Sequence, residues 1–123
     1  MNHRVIIALG SNYQQAVHIQ WASERLLCLL ENGRLSQRLW TADSKGSGKW
    51  YMNRLVKGTT ELSVGNLQVL LKEIEAATGR TRDRVTIDLD LMLYDDCRYH
   101  ERDWQQPYIQ NIMFADEQPQ TTG

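Results

Sequence analysis

The chain has 123 residues, 41% of them hydrophobic and 24% charged, with a formal net charge of −1. That length predicts one domain with a real core, and the near-neutral charge provides no general attraction to nucleic acid or to an anionic membrane. The longest apolar run, residues 26–30, is far too short for a transmembrane helix or a signal-peptide core.

Cys28 and Cys97 lie far apart, which fits neither a metal knuckle nor a disulfide framework. They read as two reduced thiols of a cytoplasmic protein.

"RVIIALG" (4–10) is an apolar run stopped by glycine, the pattern of a buried strand, and "GSN" makes the turn after it. From about Gln14 to Glu31, Ile19, Ala22, Leu26, Leu29 and Leu30 recur at helical spacing, with Asn32-Gly33 as the stop. "RLSQRLWTA" (34–42) predicts a second strand, and the glycine-rich "DSKGSGK" (43–49) a loop able to move. "WYMNRLVKGTT" (50–60) resumes strand character and sets Tyr51, Asn53 and Leu55 on one face. Trp40 and Trp50 read as core or loop-packing residues.

Ser63 is placed to cap a second helix, whose stripe runs through Val64, Leu67, Leu70, Leu71, Ile74 and Ala77 until Gly79 closes it. A basic connection, "RTRDR" (80–84), leads into "TIDLDLMLYDD" (86–96). Beyond Tyr94 the pattern weakens, and "ADEQPQTTG" (115–123) reads as a disordered polar tail after a single domain spanning 1–114.

The predicted order, β-α-β-β-α-β, is that of an α+β ferredoxin-like sandwich, with both helices on one face of an antiparallel sheet and the other face available. In the last strand, period two sets Ile87, Leu89, Leu91 and Leu93 against the helices. Asp88 and Asp90 then share the opposite face, roughly 7 Å apart at the ~3.3 Å rise of a strand residue.

Two carboxylates side by side need a cation. A hard metal ion is one candidate, because magnesium takes one or two carboxylates and leaves its other positions to water and phosphate. An ion-pair network with Arg80, Arg82 and Arg84 is the other. The same arginines suit phosphate oxygens, and acids for magnesium beside arginines for phosphates are the equipment of phosphoryl transfer. Neither "GSN" nor "KGSGK" has the spacing of a Walker loop.

"ALGSN" (8–12), "YMN" (51–53), "IEAATGRTR" (74–82) and "TIDLDLMLY" (86–94) stand in the order found in 6-hydroxymethyl-7,8-dihydropterin pyrophosphokinases, and over residues 4–94 the chain resembles that family. The resemblance implies the ferredoxin-like fold, ATP and a pterin as substrates, AMP as product, and Mg2+ between acids and phosphates. It implies Asp88 and Asp90 as metal ligands, with Thr41, Tyr51, Asn53 and Phe114 around the pterin. Glu75, Arg80 and Arg82 fall at the nucleotide, with Arg80, Arg82 and Arg84 as the catalytic cations.

The chain also departs from the family. The family's connection into the acid strand is longer, with an aromatic and further basic residues that close over the substrates. Its arginine is Val85 here, with Arg84 one place earlier as the substitute. Its Pro-His-Tyr triplet is Pro107, Tyr108, Ile109; the basic residue upstream becomes Asp103, beside Arg102; and its C-terminal section is shortened. His100 reads as a solvated loop histidine. The resemblance thus implies first a divergent enzyme that transfers diphosphate, and as the alternative a family-derived binder of a pterin or nucleotide with little turnover. RNA binding through the same strand order is disfavoured, because the K/R-G-F/Y-type aromatic run is missing and the acids would face a phosphate backbone.

Overall fold

The computed structural model describes residues 2–43 and 45–114. The predicted tail lies outside them. The elements run β1 (His3–Ser11), α1 (Gln15–Leu29), β2 (Glu31–Leu35), β3 (Leu39–Ala42), β4 (Trp50–Thr60), α2 (Val64–Ala76), β5 (Asp88–Tyr94), β6 (Cys97–Arg98), α3 (Glu101–Trp104) and α4 (Pro107–Ile112). The sheet order is β2-β4-β1-β5-β6, with β3 also paired to β4, and every pairing is antiparallel. This is the expected ferredoxin-like α+β sandwich, with the predicted second strand divided in two.

Ser36 causes that division. Its N–H donates to the Leu55 carbonyl at 2.9 Å, but the Leu55 N–H returns to the Ser36 hydroxyl at 2.8 Å instead of the backbone. The freed Ser36 carbonyl accepts from Arg54 Nε at 2.9 Å. A side chain has replaced one rung, and the ladder breaks there.

The helix before it also ends sooner than predicted. Leu30 is already extended (φ −100°, ψ 153°), and Asn32 and Gly33 belong to β2. Asn32, at φ 55°, lies where the register with β4 shifts between Glu31 and Arg34, so it serves a bulge. Gly58 lets this bulge close on β4, since a Cβ there would meet the Glu31 carbonyl oxygen at 3.0 Å.

One sheet face carries Val5, Ile7, Leu9, Met52 and Val56 against Ile19, Ala22 and Leu26 of α1 and Leu67 and Leu71 of α2. Ser63 caps α2 as predicted, accepting from the Asn66 N–H at 3.2 Å. The opposite face is only partly available, because Trp104, Ile109 and Ile112 of α3 and α4 bury Ile6, Leu55 and Met92. The Trp104 indole fixes this cover by donating to the carbonyls of Met92 (3.2 Å) and Tyr99 (3.0 Å).

Leu93 belongs to this second core, contrary to the period-two reading. Register shifts between Ile6 and Ile7, so that Ile6 faces Leu93 while Ile7 faces Leu91, and Met92 is the extra residue. The bulge returns Tyr94 to the helix face, where its hydroxyl donates to the Leu62 carbonyl at 2.7 Å. Asp88 and Asp90 precede the bulge and keep the face the sequence gives them. Trp40 and Trp50 are 51% and 54% exposed, so neither is a core residue. Among the described residues no helix is long and apolar enough to cross a membrane.

Candidate active site

The central strand β1 supplies the floor of the site. Gly10 pairs with Asn53 of β4 on one side and Asp88 of β5 on the other, and Ala8 pairs with Leu55 and Asp90. Two small residues at the middle of the sheet leave a trough, and the longer side chains of the flanking strands become its walls. The pad of α3 and α4 closes one end with Tyr108. The result is a cleft of about 360 Å³ lined by Gly10, Thr41, Tyr51, Asn53, Asp88 and Asp90, among others, in the range of small-molecule sites.

Asn53 is fixed by its neighbours. Its Nδ2 donates to Thr41 Oγ1 at 2.8 Å and to the Leu39 carbonyl at 3.2 Å, which leaves Oδ1 as an acceptor beside Gly10. Thr41 is paired with Tyr51 across β3 and β4, so these three predicted residues do converge. Burial is the main cause that raises the Tyr51 phenol above its usual value, followed by the Asp43 charge.

A second cavity of about 450 Å³ opens on the other side of the acid pair, lined by Lys72, Glu75, Arg80, Asp88, Asp90 and His100, among others. Asp88 and Asp90 therefore form a wall common to both spaces. Arg80 Nη1 donates to Glu75 Oε2 at 3.2 Å and to Asp88 Oδ1 at 3.1 Å. Glu75 Oε2 also accepts from the Leu89 N–H at 2.9 Å, which joins α2 to the acid strand.

Negative charge is in excess here. Burial first, and the Asp88 carboxylate second, push Asp90 above the usual carboxylate range, with His100 opposing. Glu75 is raised as well, mainly by burial, with Leu89 opposing and Asp88 adding. His100 is the exposed loop residue expected, and its Nε2 also lies 3.9 Å from Asp90 Oδ1 at the edge of the second cavity.

Other predicted residues stay away from these spaces. Phe114 packs in the second core, with the Arg34 and Lys57 cations 5.6 and 5.9 Å from its ring centroid, and lines neither cavity. Arg84 lies 4.7 Å over the Tyr13 ring, Arg82 is exposed, and neither lines a cavity. Among the described residues no group of three or more His, Cys, Asp or Glu gathers as metal ligands.

Sequence reasoning missed Gly10 and Ala8 as a floor and Tyr108 as the aromatic at the cleft's end. Small residues on one face of an otherwise bulky strand were the available signal for the first. Pro107 at the first position of α4 was the signal for the second.

The fold defines an α+β sandwich with one cleft on the sheet face opposite α1 and α2 and a second cavity beside α2, the two meeting at Asp88 and Asp90. The chain belongs to the 7,8-dihydro-6-hydroxymethylpterin-pyrophosphokinase (HPPK) family, whose model matches residues 6–115. The match extends past Tyr94, where the sequence motifs fade, through α3 and α4. No curated protein matches the chain. Membership carries a pyrophosphokinase role in general terms.

Proposed function

We propose that this protein transfers diphosphate from ATP to 6-hydroxymethyl-7,8-dihydropterin in folate biosynthesis, releasing AMP. The observation that carries the reading is the wall of Asp88 and Asp90 shared by two cavities. A reaction joining two substrates through a chain of phosphates needs acids for the metal where the substrates meet.

The pair suits magnesium. It offers two carboxylates with a charge excess that a dication would relieve, and it leaves the remaining positions to water and phosphate oxygens. Magnesium, when bound, supplies charge neutralisation and orientation of the phosphates. Asn53 offers its Oδ1 to ring N–H groups of the pterin, and Tyr51 and Tyr108 supply aromatic surface. Arg80, on the nucleotide side, releases part of its hold on Glu75 and Asp88 to meet phosphate.

Three observations favour weak turnover over full activity. Arg80 is already paired with two acids, Arg84 covers Tyr13, and the short connection 80–87 offers no longer segment to close. The protein binds its substrates better than it converts them.

Calorimetric titration with a non-hydrolysable ATP analogue, with and without magnesium, tests the metal assignment. Magnesium-dependent affinity that disappears in Asp88→Asn/Asp90→Asn supports it. Unchanged affinity in that variant, with only a shift in melting temperature, would mean a purely structural ion-pair network.

A further inference from the structure

Asn12, the last residue of "ALGSN", lines neither cavity, yet three of its groups are engaged across the site. Its N–H donates to the Val85 carbonyl at 2.9 Å, and its Oδ1 accepts from the Val85 N–H at 2.8 Å. Its Nδ2 donates to the Tyr51 hydroxyl at 3.2 Å. One side chain thus binds the end of β1 to the connection feeding the acid strand and to the aromatic wall of the cleft.

The Val85 contacts fix how the amide is oriented. Because Oδ1 must face the Val85 N–H, Nδ2 is the group presented to Tyr51. The Tyr51 oxygen then receives a hydrogen bond, and its own O–H has no acceptor among the described residues. A half-buried phenol in that state keeps its proton free to donate to water or to an acceptor on a ligand.

We propose that Asn12 is a positioning residue that sets the Tyr51 hydroxyl as a hydrogen-bond donor toward a carbonyl oxygen or unprotonated ring nitrogen of the heterocycle in the cleft. This rests on the pterin reading of the cleft. It assigns Tyr51 a polar selectivity besides its aromatic surface: heterocycles presenting an acceptor to that hydroxyl are favoured over those presenting an N–H.

Two substitutions isolate the effect. Tyr51→Phe removes the hydroxyl alone. Asn12→Asp keeps an oxygen for the Val85 N–H but replaces the donor by an acceptor, so the Tyr51 proton turns to the new carboxylate and away from the ligand. Titration of 6-hydroxymethylpterin by its fluorescence should show each variant weaker by about three- to tenfold, the scale of one net hydrogen bond. The double variant should be no weaker than the single ones, because both remove the same bond. Slow exchange of the Val85 amide in Asn12→Asp reports that the connection is still held.

Unchanged affinity in Tyr51→Phe, or losses in the two variants that multiply, would overturn the assignment while leaving the pterin reading intact. A native chain that binds no pterin would overturn both.

Discussion

Asn53 and Asp88 are the two cross-strand partners of Gly10, so an amide of the cleft and an acid of the shared wall stand either side of one residue without a side chain. The gap between them is the cleft floor, and its width depends on Gly10 staying bare. A Cβ there would lie 3.7 Å from Asn53 Oδ1 and 3.8 Å from Tyr51 Cδ1, which is ordinary contact. The protein itself has room for a Cβ at this point, and only the ligand space is lost.

Gly10→Ala should therefore fold as well as the native chain or better, since the added Cβ meets only ordinary contacts and glycine is unfavourable in a central strand. Pterin affinity should fall by more than about tenfold, the cost of losing roughly 1.4 kcal/mol of contact. Thermal melting and pterin titration on the same sample separate the two effects. A drop in melting temperature with affinity retained would contradict this account of the floor.

The acid pair gives a pH dependence of definite sign. Asp90 titrates above its unfolded value because of burial and Asp88, so the folded chain holds that proton more tightly than the unfolded chain. The stability this contributes is fully present below the unfolded value of 3.8 and is lost as pH rises through the raised folded value. At neutral pH without metal, Asp90→Asn should melt higher than the native chain, with the difference closing in acid. Magnesium should reverse the order by stabilising only the native chain. Melting curves across pH, with and without the ion, check both signs.

Arg80 and Arg84 should behave differently although they lie in one basic connection. Arg80→Ala removes the cation held by Glu75 and Asp88 and should weaken ATP-analogue binding by roughly tenfold or more, the scale of a charged hydrogen bond. Arg84→Ala loses only its contact with the Tyr13 ring and should leave that affinity within about twofold, as surface substitutions usually do. Equal losses in parallel titrations would show that Arg84 leaves Tyr13 to reach the phosphates.

Much of this architecture was legible in the sequence because it follows period. The alternation that sets Tyr51 with Asn53, and Asp88 with Asp90, depends only on residue spacing, and Ser63 announces α2 by a local hydrogen bond. What was hidden depends on partners distant in sequence. The bulge at Met92 exists only because β1 and β5 shift register, and it is what moves Leu93 to the other face. The break at Ser36 needs Leu55 opposite it. His100 reaches Asp90 through the two-stranded turn of β5 and β6 and a left-handed backbone at φ 56°, which no periodicity announces. Phe114, the only phenylalanine, invited a place in the cleft, but the second core takes it.

The most direct measurement is AMP release from ATP with 6-hydroxymethyl-7,8-dihydropterin and magnesium, in the native chain and in Asp88→Asn/Asp90→Asn. AMP should form only when the pterin is present, at a rate well below the ~1–10 s⁻¹ middle of the usual enzyme range, and the variant should release none. Pterin-dependent release that persists in the variant would contradict the central claim that the shared acid wall is where the two substrates meet.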